Sequence, residues 1–559
     1  MFDPLGGFSR IREIYISYLD TAFRVKRKAL TDRRRELLRE PGTLTTDPLL
    51  EPIPRYKSSE RSLEDLINLT DDKNPLNNFS KLGRQAFVEL ALSGLFPGTP
   101  SDGELSRKHI FKPYRHQMEM LERGVQHGLP GIVTSGTGSG KTESFMLPIF
   151  ATIAEEATNW SPPAPGYLAD SWWKSEPSNF CLHRKKEHPT RPKAIRAMIL
   201  YPMNALVEDQ LSRLRKALDS PEAHEVMDKR LKGNRIFFGR YTSASPIAGH
   251  LTHPRRADDR KEKQKAAQRI QRVADVLTAC ERDQNLAQAH DNAHPNEDPT
   301  RYLFPSVNGS ELVARWDMQV TPPDILVTNV SMLGTMLSRE IEASIFDKTR
   351  DWLETDENAY FFLVLDELHL IRGSSGTEVS GLIRALIQRL GLDQPETRHK
   401  LRILASSASL PQEGETGARS LKYLYDFFGP LGTFRSKGDK GSAKAADWNS
   451  CIVSGEVVLA TIETPLPLST VPFRKLLKTT CPSADFLGGI ATTSPELEDA
   501  IQSCLFELTH NSISHSPGQT AKLAVEASAA ILANACRNPE TGVLRATPTK
   551  EIAVQIFGT

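Results

Sequence analysis

The chain has 559 residues, which is enough for about three or four domains of ordinary size and a large buried core. Its 70 Lys and Arg residues nearly balance 69 Asp and Glu residues, and the formal net charge is +1. This balance excludes a surface that is basic all over, so a polyanionic partner has to meet a local patch of positive charge.

The sequence shows neither a membrane span nor a regular cysteine pattern. Its longest apolar run, residues 360–365, is far shorter than the roughly 20 residues of a membrane helix, and the first residues lack the pattern of a secretion signal. The six cysteines include no C-x-x-C pair, which argues against a disulfide framework and a zinc ribbon. Cys181, His183 and His188 fit an ordinary surface loop better than a metal site, because no second ligand pair accompanies them. We therefore expect a cytoplasmic protein with no membrane partner.

Residues 1–105 are expected to form a mostly helical N-terminal domain. Apolar residues recur with helical spacing over residues 11–30, and a basic run overlaps the end of this segment and continues to residue 35. Prolines at positions 41, 48, 52 and 54 then interrupt the helical pattern. The basic run is either a solvated helix face, as such runs usually are, or a contact for nucleic acid, and both interpretations stay open.

Residues 106–429 alternate short apolar strands with longer helical patterns, which is typical of an α/β fold with a parallel sheet. The segments predicted to be strands are residues 131–135, 197–201, 235–240, 325–328, 361–365 and 403–406. Polar or charged stretches near residues 157–193 and 245–318 break the alternation and are expected to be insertions at the margin of the sheet. Residues 430–559 lose the pattern and are expected to be a mixed accessory or linker region.

The segment from Thr134 to Glu143 has the composition of a phosphate-binding loop between a short apolar strand and an apolar-periodic helix. In such a loop the backbone N–H groups turn toward phosphate oxygens and the helix N-terminus adds positive charge. The lysine reaches the terminal phosphates, and the threonine hydroxyl holds Mg²⁺. We therefore predict a nucleoside-triphosphate site with Mg²⁺ as cofactor, which the family resemblance given below identifies as an ATP site. The loop residues of this site are Thr137, Gly138, Ser139, Gly140, Lys141 and Thr142.

An acidic pair follows the most apolar of the predicted strands. Asp366 and Glu367 come directly after residues 361–365, as expected where a buried parallel strand ends at the ligand-bearing edge of a sheet. An acidic pair after a strand is common, and it indicates a nucleotide site here because a phosphate-binding loop lies upstream. We predict that Asp366 and Thr142 hold Mg²⁺, with water between the metal and Asp366. Glu367 is predicted to polarise the water that attacks the γ-phosphate, so the catalytic residues are Lys141, Asp366 and Glu367.

These motifs resemble those of superfamily 2 helicases with a DEAD/DEAH box. Residues 366–369, Asp-Glu-Leu-His, match the box, and a small residue such as Ser135 is usual at that loop position in this superfamily. Residues 114–117, Tyr-Arg-His-Gln, resemble the adenine-reading Q motif. The resemblance implies a RecA-like lobe in which Gln117 hydrogen-bonds the adenine edge. Residues 407–409, Ser-Ala-Ser, stand where the family usually has Ser-Ala-Thr, which implies that Ser407 and Ser409 couple hydrolysis to strand binding.

Three further segments resemble the strand-binding motifs of the same lobe, at residues 201–206, 239–242 and 323–329. The resemblance implies contacts to the nucleic-acid backbone from Arg240 and Thr328, with purely structural roles as the alternative. Because phosphates carry no sequence information, binding is expected to be largely independent of sequence.

Residues 372–379, together with residues 18–23 and 48–56, resemble segments of the large helicases of bacterial antiphage systems such as Druantia and DISARM. DNA-repair helicases with a similar segment after the box are the nearest alternative. The resemblance implies an ATP-dependent helicase or translocase that acts on nucleic acid, with DNA expected rather than RNA, and other defence proteins as partners. A rival from another class is a nucleotide-gated DNA-binding or sensing module that turns over slowly.

One feature of the superfamily has no counterpart in residues 411–559, namely the arginine motif Q-x-x-G-R-x-x-R of the second lobe. We therefore expect this chain alone to be incomplete for unwinding, with a second lobe either following residue 559 or supplied by another polypeptide. No motif of the chain encodes the polarity of translocation, the activating signal or the oligomeric state.

Overall fold

The computed structural model describes residues 4–40, 42–46, 48–52, 55–72, 74–96, 111–127, 129–136, 138–168, 170–175, 180–246, 249–295, 297–408, 410–431, 444–458, 467–480, 495–509, 517–538 and 544–558. Contacts divide the chain into two compact units. The sheet unit is residues 56–456, and the terminal unit is residues 1–55 with residues 457–559. The domain boundaries expected at residues 105 and 429 stay predictions.

The sheet unit is built on eight strands that all pair in parallel. In chain order they are β1 Gly131–Thr134, β2 Ala197–Tyr201, β3 Phe238–Tyr241, β4 Glu311–Leu312, β5 Ile325–Asn329, β6 Phe361–Leu365, β7 Leu401–Ser407 and β8 Ile452–Ser454. Their order across the sheet is β8-β1-β7-β6-β2-β5-β3-β4. The predicted α/β fold with a parallel sheet, consistent with a RecA-like lobe, is confirmed.

Alternate residues of each strand pack into two separate hydrophobic cores on the two faces of the sheet. On β6, Phe362 and Val364 belong to one core, and Phe361, Leu363 and Leu365 belong to the other. Successive side chains of a strand point to opposite faces, so a strand covered on both sides needs apolar residues at every position. This explains why the central strands are continuous apolar runs in the sequence.

Helices cover both faces of the sheet and form most of the described terminal unit. In chain order they are α1 Pro4–Ala22, α2 Lys28–Arg39, α3 Asp65–Asn68, α4 Lys81–Leu90, α5 Arg115–Glu122, α6 Lys141–Ala157, α7 Asn204–Leu218, α8 Pro221–Arg230, α9 Arg260–Ala293, α10 Arg315–Val320, α11 Val330–Ser338, α12 Ala343–Thr355, α13 Gly373–Arg389, α14 Gly414–Phe428, α15 Thr470–Thr480, α16 Pro495–Thr509, α17 Pro517–Ala535 and α18 Thr549–Phe557. Single π-helical segments, Ala91–Leu95 and Arg123–His127, continue α4 and α5.

All six predicted strands form, and the largest error is at β3, which begins at Phe238 rather than at residue 235. The sequence did not predict β4 and β8, because strands of two and three residues are too short to show a periodic pattern. Strand β8 lies in the region expected to be accessory, yet Ile452 pairs with Ile132 of β1 and extends the sheet.

The two expected insertions pack against each other beside the sheet. Helix α9, with 34 residues, runs through the second of them, and it continues to Ala293, whereas the charged pattern of the sequence predicts a helix only over residues 260–282. Val273 and Leu277 on α9 share a hydrophobic cluster with Trp172 of the first insertion and with Trp316. Apolar residues on one side of this long charged helix therefore pack it against the rest of the sheet unit.

The described terminal unit is largely helical. Asp20 on α1 forms ion pairs of 2.5 Å with Arg34 and Arg35 on α2. Helices α15 to α18 enclose a small hydrophobic cluster, and Leu49–Leu50 pairs antiparallel with Thr547–Pro548. Across the described ranges of the whole chain, no helix combines the length and the apolar character needed to cross a membrane. The same ranges contain no group of three or more His, Cys, Asp or Glu side chains suited to holding a metal ion.

Candidate nucleotide site and strand-binding edge

The candidate phosphate-binding loop connects the end of β1 to the start of α6. Gly138 and Gly140 have φ angles of 72° and 70°, in the left-handed region that favours glycine. A Cβ atom on Gly140 would lie 2.3 Å from the Nε2 atom of Gln117, so a side chain at this position would clash as well as strain the backbone. The two glycines let the loop turn tightly into the N-terminus of α6, which is the geometry that binds phosphates.

Two side chains of the Q-like segment, His116 and Gln117, form hydrogen bonds with backbone carbonyl groups of the loop. The Nε2 atom of Gln117 donates to the Gly140 carbonyl (3.1 Å), and its Oε1 atom accepts from the Tyr114 N–H (2.8 Å). The imidazole of His116 donates from Nε2 to the Ser139 carbonyl (2.8 Å). Burial lowers the pKa of His116, which favours the neutral imidazole over the charged form. The structure thus places Gln117 against the loop itself, and its contact with adenine stays a prediction.

Ser135 and Tyr56 support the first half of the loop. The hydroxyls of Ser135 and Ser139 lie 2.6 Å apart, so a hydrogen bond between these two serines connects the start of the loop to its second half. Tyr56 is 5% exposed, and its hydroxyl accepts a hydrogen bond from the Gly136 N–H (2.8 Å). Sequence reasoning missed Tyr56, because it lies 80 residues before the loop and belongs to no motif. Thr137 lies outside the described residues.

The acidic pair follows β6, two strands away from β1. Glu367 has φ 51° and ψ 47°, a left-handed conformation that is unfavourable for a residue with a side chain and is concentrated at functional sites. Oδ1 of Asp366 accepts hydrogen bonds from the Ser406 hydroxyl and from the Glu367 N–H, the latter at 2.9 Å. Burial raises the pKa of Asp366, although the Ser406 hydrogen bond and the charge of Lys141 oppose this effect.

One cleft of about 650 Å³ brings the predicted residues together. The Nζ atom of Lys141 lies 3.7 Å from Oε1 of Glu367 across it. Its lining includes the predicted loop residues from Gly138 to Thr142, the predicted Gln117, and the acidic pair. Further lining residues are Ser58, Phe96, Phe111, Lys112, Tyr114, Glu143, Tyr201, Leu206, Asp209, Gln210 and Arg213. The Thr142 hydroxyl and the Asp366 carboxylate are hard oxygen donors, which suit Mg²⁺ when phosphates and water complete the coordination.

The serines predicted to couple hydrolysis to strand binding lie at and beyond the end of β7. Ser407 is fully buried, and its carbonyl accepts from the Ser135 N–H (3.4 Å), so it joins β7 to the phosphate-binding loop. Ser409 lies outside the described residues. Two hydrogen bonds that the sequence did not reveal connect this segment to residues 366–369. The Ser406 hydroxyl donates to Asp366, and the Ala408 N–H donates to Nδ1 of His369 (3.3 Å).

The strand ends of β2, β3 and β5 are neighbours at the same edge of the sheet. Arg240, at the end of β3, forms an ion pair with Glu208 on α7, and its side chain is 23% exposed. Thr328 is fully buried, and its hydroxyl donates to the Tyr241 carbonyl (2.6 Å). Both side chains therefore have structural partners within the protein, and their contacts with nucleic acid stay predictions.

Comparison with protein families adds a second line of evidence. Residues 114–271 match the family described as DEAD/DEAH box helicase. This part of the chain is therefore similar to DEAD/DEAH box helicases. The match includes the Q-like segment and the phosphate-binding loop but ends before Asp366, so the pairing of the box with the loop rests on the structure of the cleft.

Among curated proteins, the Druantia protein DruE of Escherichia coli (strain UMEA 4076-1) is 29% identical over 443 residues. The similarity covers 73% of this chain and 20% of that protein, so the chain spans about a fifth of the length of this relative. The expected resemblance to the large helicases of antiphage systems is confirmed.

Two solved structures show weak overall similarity. The DUF1998 helicase MrfA bound to DNA and AMPPNP has a TM-score of 0.32 at 18% identity, covering 71% of this chain and 32% of that one. Mss116p bound to ssRNA and AMP-PNP has a TM-score of 0.32 at 12% identity, covering 67% of this chain and 45% of that one.

Proposed function

We propose that residues 56–456 are the nucleotide-binding motor lobe of an ATP-dependent helicase or translocase that acts on DNA in bacterial antiphage defence. The observation that supports this most directly is the convergence of Lys141, Asp366 and Glu367 on one cleft, with Lys141 Nζ 3.7 Å from Glu367 Oε1. Transfer of a phosphoryl group to water is catalysed largely by positioning the reactants and by stabilising the charge of the transition state. The phosphate-binding loop, its lysine and the acidic pair are the parts that this catalysis requires.

The ion pair between Lys141 and Glu367 suggests how nucleotide binding prepares the site. A γ-phosphate carries more negative charge than a carboxylate, so its arrival draws Nζ of Lys141 away from Glu367. Oε1 of Glu367 is then free to accept a hydrogen bond from a water molecule and to orient it for attack on the γ-phosphorus, while the bond to the leaving β-phosphate oxygen breaks. Mg²⁺, when bound, would neutralise phosphate charge, and Asp366 and Thr142 are the residues that would hold it.

The proposed substrate and biological role rest on sequence similarity. The likeness to DruE supports a role in antiphage defence. DNA as the polymer, other defence proteins as partners and the cytoplasm as the location belong to the proposal as implications of the resemblance to antiphage helicases. The strand would lie across the ends of β2, β3 and β5, where backbone amides and Arg240 can reach phosphates.

Hydrolysis of ATP stimulated by DNA is the activity that tests the proposal. Purified protein is assayed for phosphate release with and without single-stranded DNA, beside Lys141→Ala and a control, Lys229→Ala, which changes an exposed residue of α8. Because residues 411–559 contain no counterpart of the arginine motif of the second lobe, we expect slow hydrolysis in the wild type and the control, and stimulation by DNA once a second lobe is supplied as downstream sequence or as another polypeptide. Lys141→Ala should lose hydrolysis and bind nucleotide more weakly. Hydrolysis by Lys141→Ala at the wild-type rate would contradict the site. Tight ATP binding without stimulation of hydrolysis by DNA, even with a second lobe present, would instead favour a sensing module.

A further inference from the structure

The start of the second insertion carries an unusual concentration of positive charge. Residues 255–272 contain eight Lys and Arg residues against three Asp and Glu residues, although the whole chain has a net charge of only +1. Of these cations, Arg269 forms an ion pair with Glu262 at 2.7 Å. The others are exposed, and none has a carboxylate partner within 4.0 Å among the described residues. They are Arg255, Arg256, Arg260, Lys261, Lys263, Lys265 and Arg272.

Three of the exposed cations form one stripe on α9, which we call the basic stripe: Lys261, Lys265 and Arg272. Their spacing of four and seven residues places them on the same side of a helix, along about 16 Å of its axis. Ala266 and Val273 on the other side are buried, and Val273 packs in the cluster that contains Trp172 and Trp316. The stripe is therefore presented to solvent by a rigidly packed helix.

The positive charge of the basic stripe is not balanced within α9. The first turn of the helix follows the usual preference, because Asp259 caps the N-terminus and Glu262 lies in the first turn. Lys261 and Lys265, however, are like charges separated by four residues, which repel each other on a helix surface. No carboxylate of the described residues lies within 4.0 Å of the stripe, so a polyanionic partner would relieve this repulsion.

The position of α9 relates the stripe to the strand-binding edge. The chain runs from Arg240 at the end of β3 into this insertion, and the side chains of Arg240 and Cys280 lie close enough to influence each other's pKa. Lys261 and Arg272 precede Cys280 on the same helix by distances of about 28 and 12 Å along its axis. Stacked bases advance by about 3.4 Å per step, so a strand that continued from the edge along α9 would reach the basic stripe after several nucleotides.

We propose that the basic stripe of α9 binds the phosphate backbone of the nucleic acid outside the strand-binding edge and extends the contact of the motor lobe by several nucleotides. The proposal rests on the proposed function, because it requires that a strand reaches the edge. The stripe offers charge without a base-reading surface, so its contribution is independent of sequence and is weakened by salt.

The test compares a triple variant, Lys261→Gln with Lys265→Gln and Arg272→Gln, with a control that removes the same charge elsewhere. The control is Lys229→Gln with Arg419→Gln and Lys422→Gln, all exposed cations of the sheet unit on α8 and α14. Binding of mixed-sequence DNA is measured by fluorescence anisotropy over a series of KCl concentrations. Three lost phosphate contacts should reduce the slope of log K against log salt by about 2 to 3. The control should keep the wild-type slope, and all three proteins should bind ATP equally.

Failure of the proposal alone can be distinguished from failure of the proposed function. If the wild type binds DNA and the triple variant shows the same affinity and slope, the proposal is wrong and the stripe faces another partner, such as an acidic protein. If the wild type binds no nucleic acid, both the proposed function and the stripe fail. Glutamine is a good helix former, so the triple variant should fold; the three single variants, each expected to lose about a third of the effect, provide the same test if it does not.

Discussion

The hydroxyl of Tyr56 accepts a hydrogen bond from the backbone N–H of Gly136, 2.8 Å away, at the start of the phosphate-binding loop. The next residue, Lys57, donates its N–H to the Glu456 carbonyl (2.8 Å), and the Gly455 N–H donates to the Thr134 carbonyl (2.9 Å). The two segments through which the chain enters and leaves the sheet unit are therefore bonded to each other and to the strand that carries the loop. Tyr56 links this junction to the loop itself.

We expect Tyr56→Phe to weaken ATP binding by roughly 2- to 10-fold, because the loss of one neutral hydrogen bond costs about 0.5–1.5 kcal/mol and leaves the Gly136 N–H without its partner. The measurement is a titration with a fluorescent ATP analogue. Tyr167→Phe is the matched control, since Tyr167 is also buried and its hydroxyl donates to a backbone carbonyl, that of Gly233. Equal affinity in wild type and Tyr56→Phe would show that the bond does not position the loop.

The sequence predicted those residues of the site that belong to a pattern of adjacent residues, and it missed those whose roles depend on contacts with distant parts of the chain. Lys141 and Asp366 were identified because a glycine-rich turn and a carboxylate after an apolar strand are patterns of adjacent residues. Tyr56 and Ser406 were missed, although they lie within hydrogen-bonding distance of the same site, because their roles depend on contacts between residues 80 and 40 positions apart in the chain. Strand β8 was missed for a related reason, since only its pairing with β1 defines it as part of the sheet.

Glu367→Gln should retain ATP while hydrolysis falls by about 10²- to 10⁴-fold, the usual contribution of a general base. The amide keeps the shape of the side chain, and Lys141 remains available for the phosphates, but the amide cannot accept the proton of the attacking water. Single-turnover phosphate release and nucleotide affinity are measured together, with Glu357→Gln, an exposed glutamate of the same unit, as control. A loss of affinity as large as that of Lys141→Ala would refute this division of roles.

Ser406→Ala should raise the Mg²⁺ concentration that hydrolysis requires, and this effect should be larger than its effect on binding of ATP. The Ser406 hydroxyl donates to the Asp366 carboxylate and opposes the effect of burial on its pKa, so its removal makes the ionised form less favourable. Removal of a residue that hydrogen-bonds a metal ligand typically lowers the affinity for the metal by about 10- to 100-fold. Rates are measured over a Mg²⁺ series beside Ser380→Ala, whose buried hydroxyl donates to the Phe427 carbonyl (2.6 Å) away from the cleft. An unchanged Mg²⁺ profile would mean that Ser406 has only a packing role.

Asp324 forms the centre of a buried ionic network just before β5, and Asp324→Asn should lower the free energy of unfolding by about 3–5 kcal/mol. Its carboxylate is fully buried and lies 2.6 Å from Arg191, 3.2 Å from Arg196 and 2.7 Å from the Phe237 N–H. Asparagine cannot neutralise the guanidinium groups, which would stay buried without their counter-charge. Asp228→Asn, at an ion pair whose aspartate is 58% exposed, is the control and should change little.

The same network gives this loss of stability a dependence on pH. Burial by itself raises the pKa of Asp324, but Arg191, Arg196 and Arg184 outweigh burial and hold the pKa below its ordinary value of 3.8. A carboxyl group whose pKa is lowered on folding stabilises the protein above the pKa of the unfolded chain, and this contribution is lost as the pH falls through the pKa of the folded state. Urea unfolding of the wild type and Asp324→Asn should therefore differ most at pH 7, with the difference shrinking as the pH falls below 3.8. A difference that stays constant from pH 7 to acid would show that the variant acts through altered packing rather than through the lost charge.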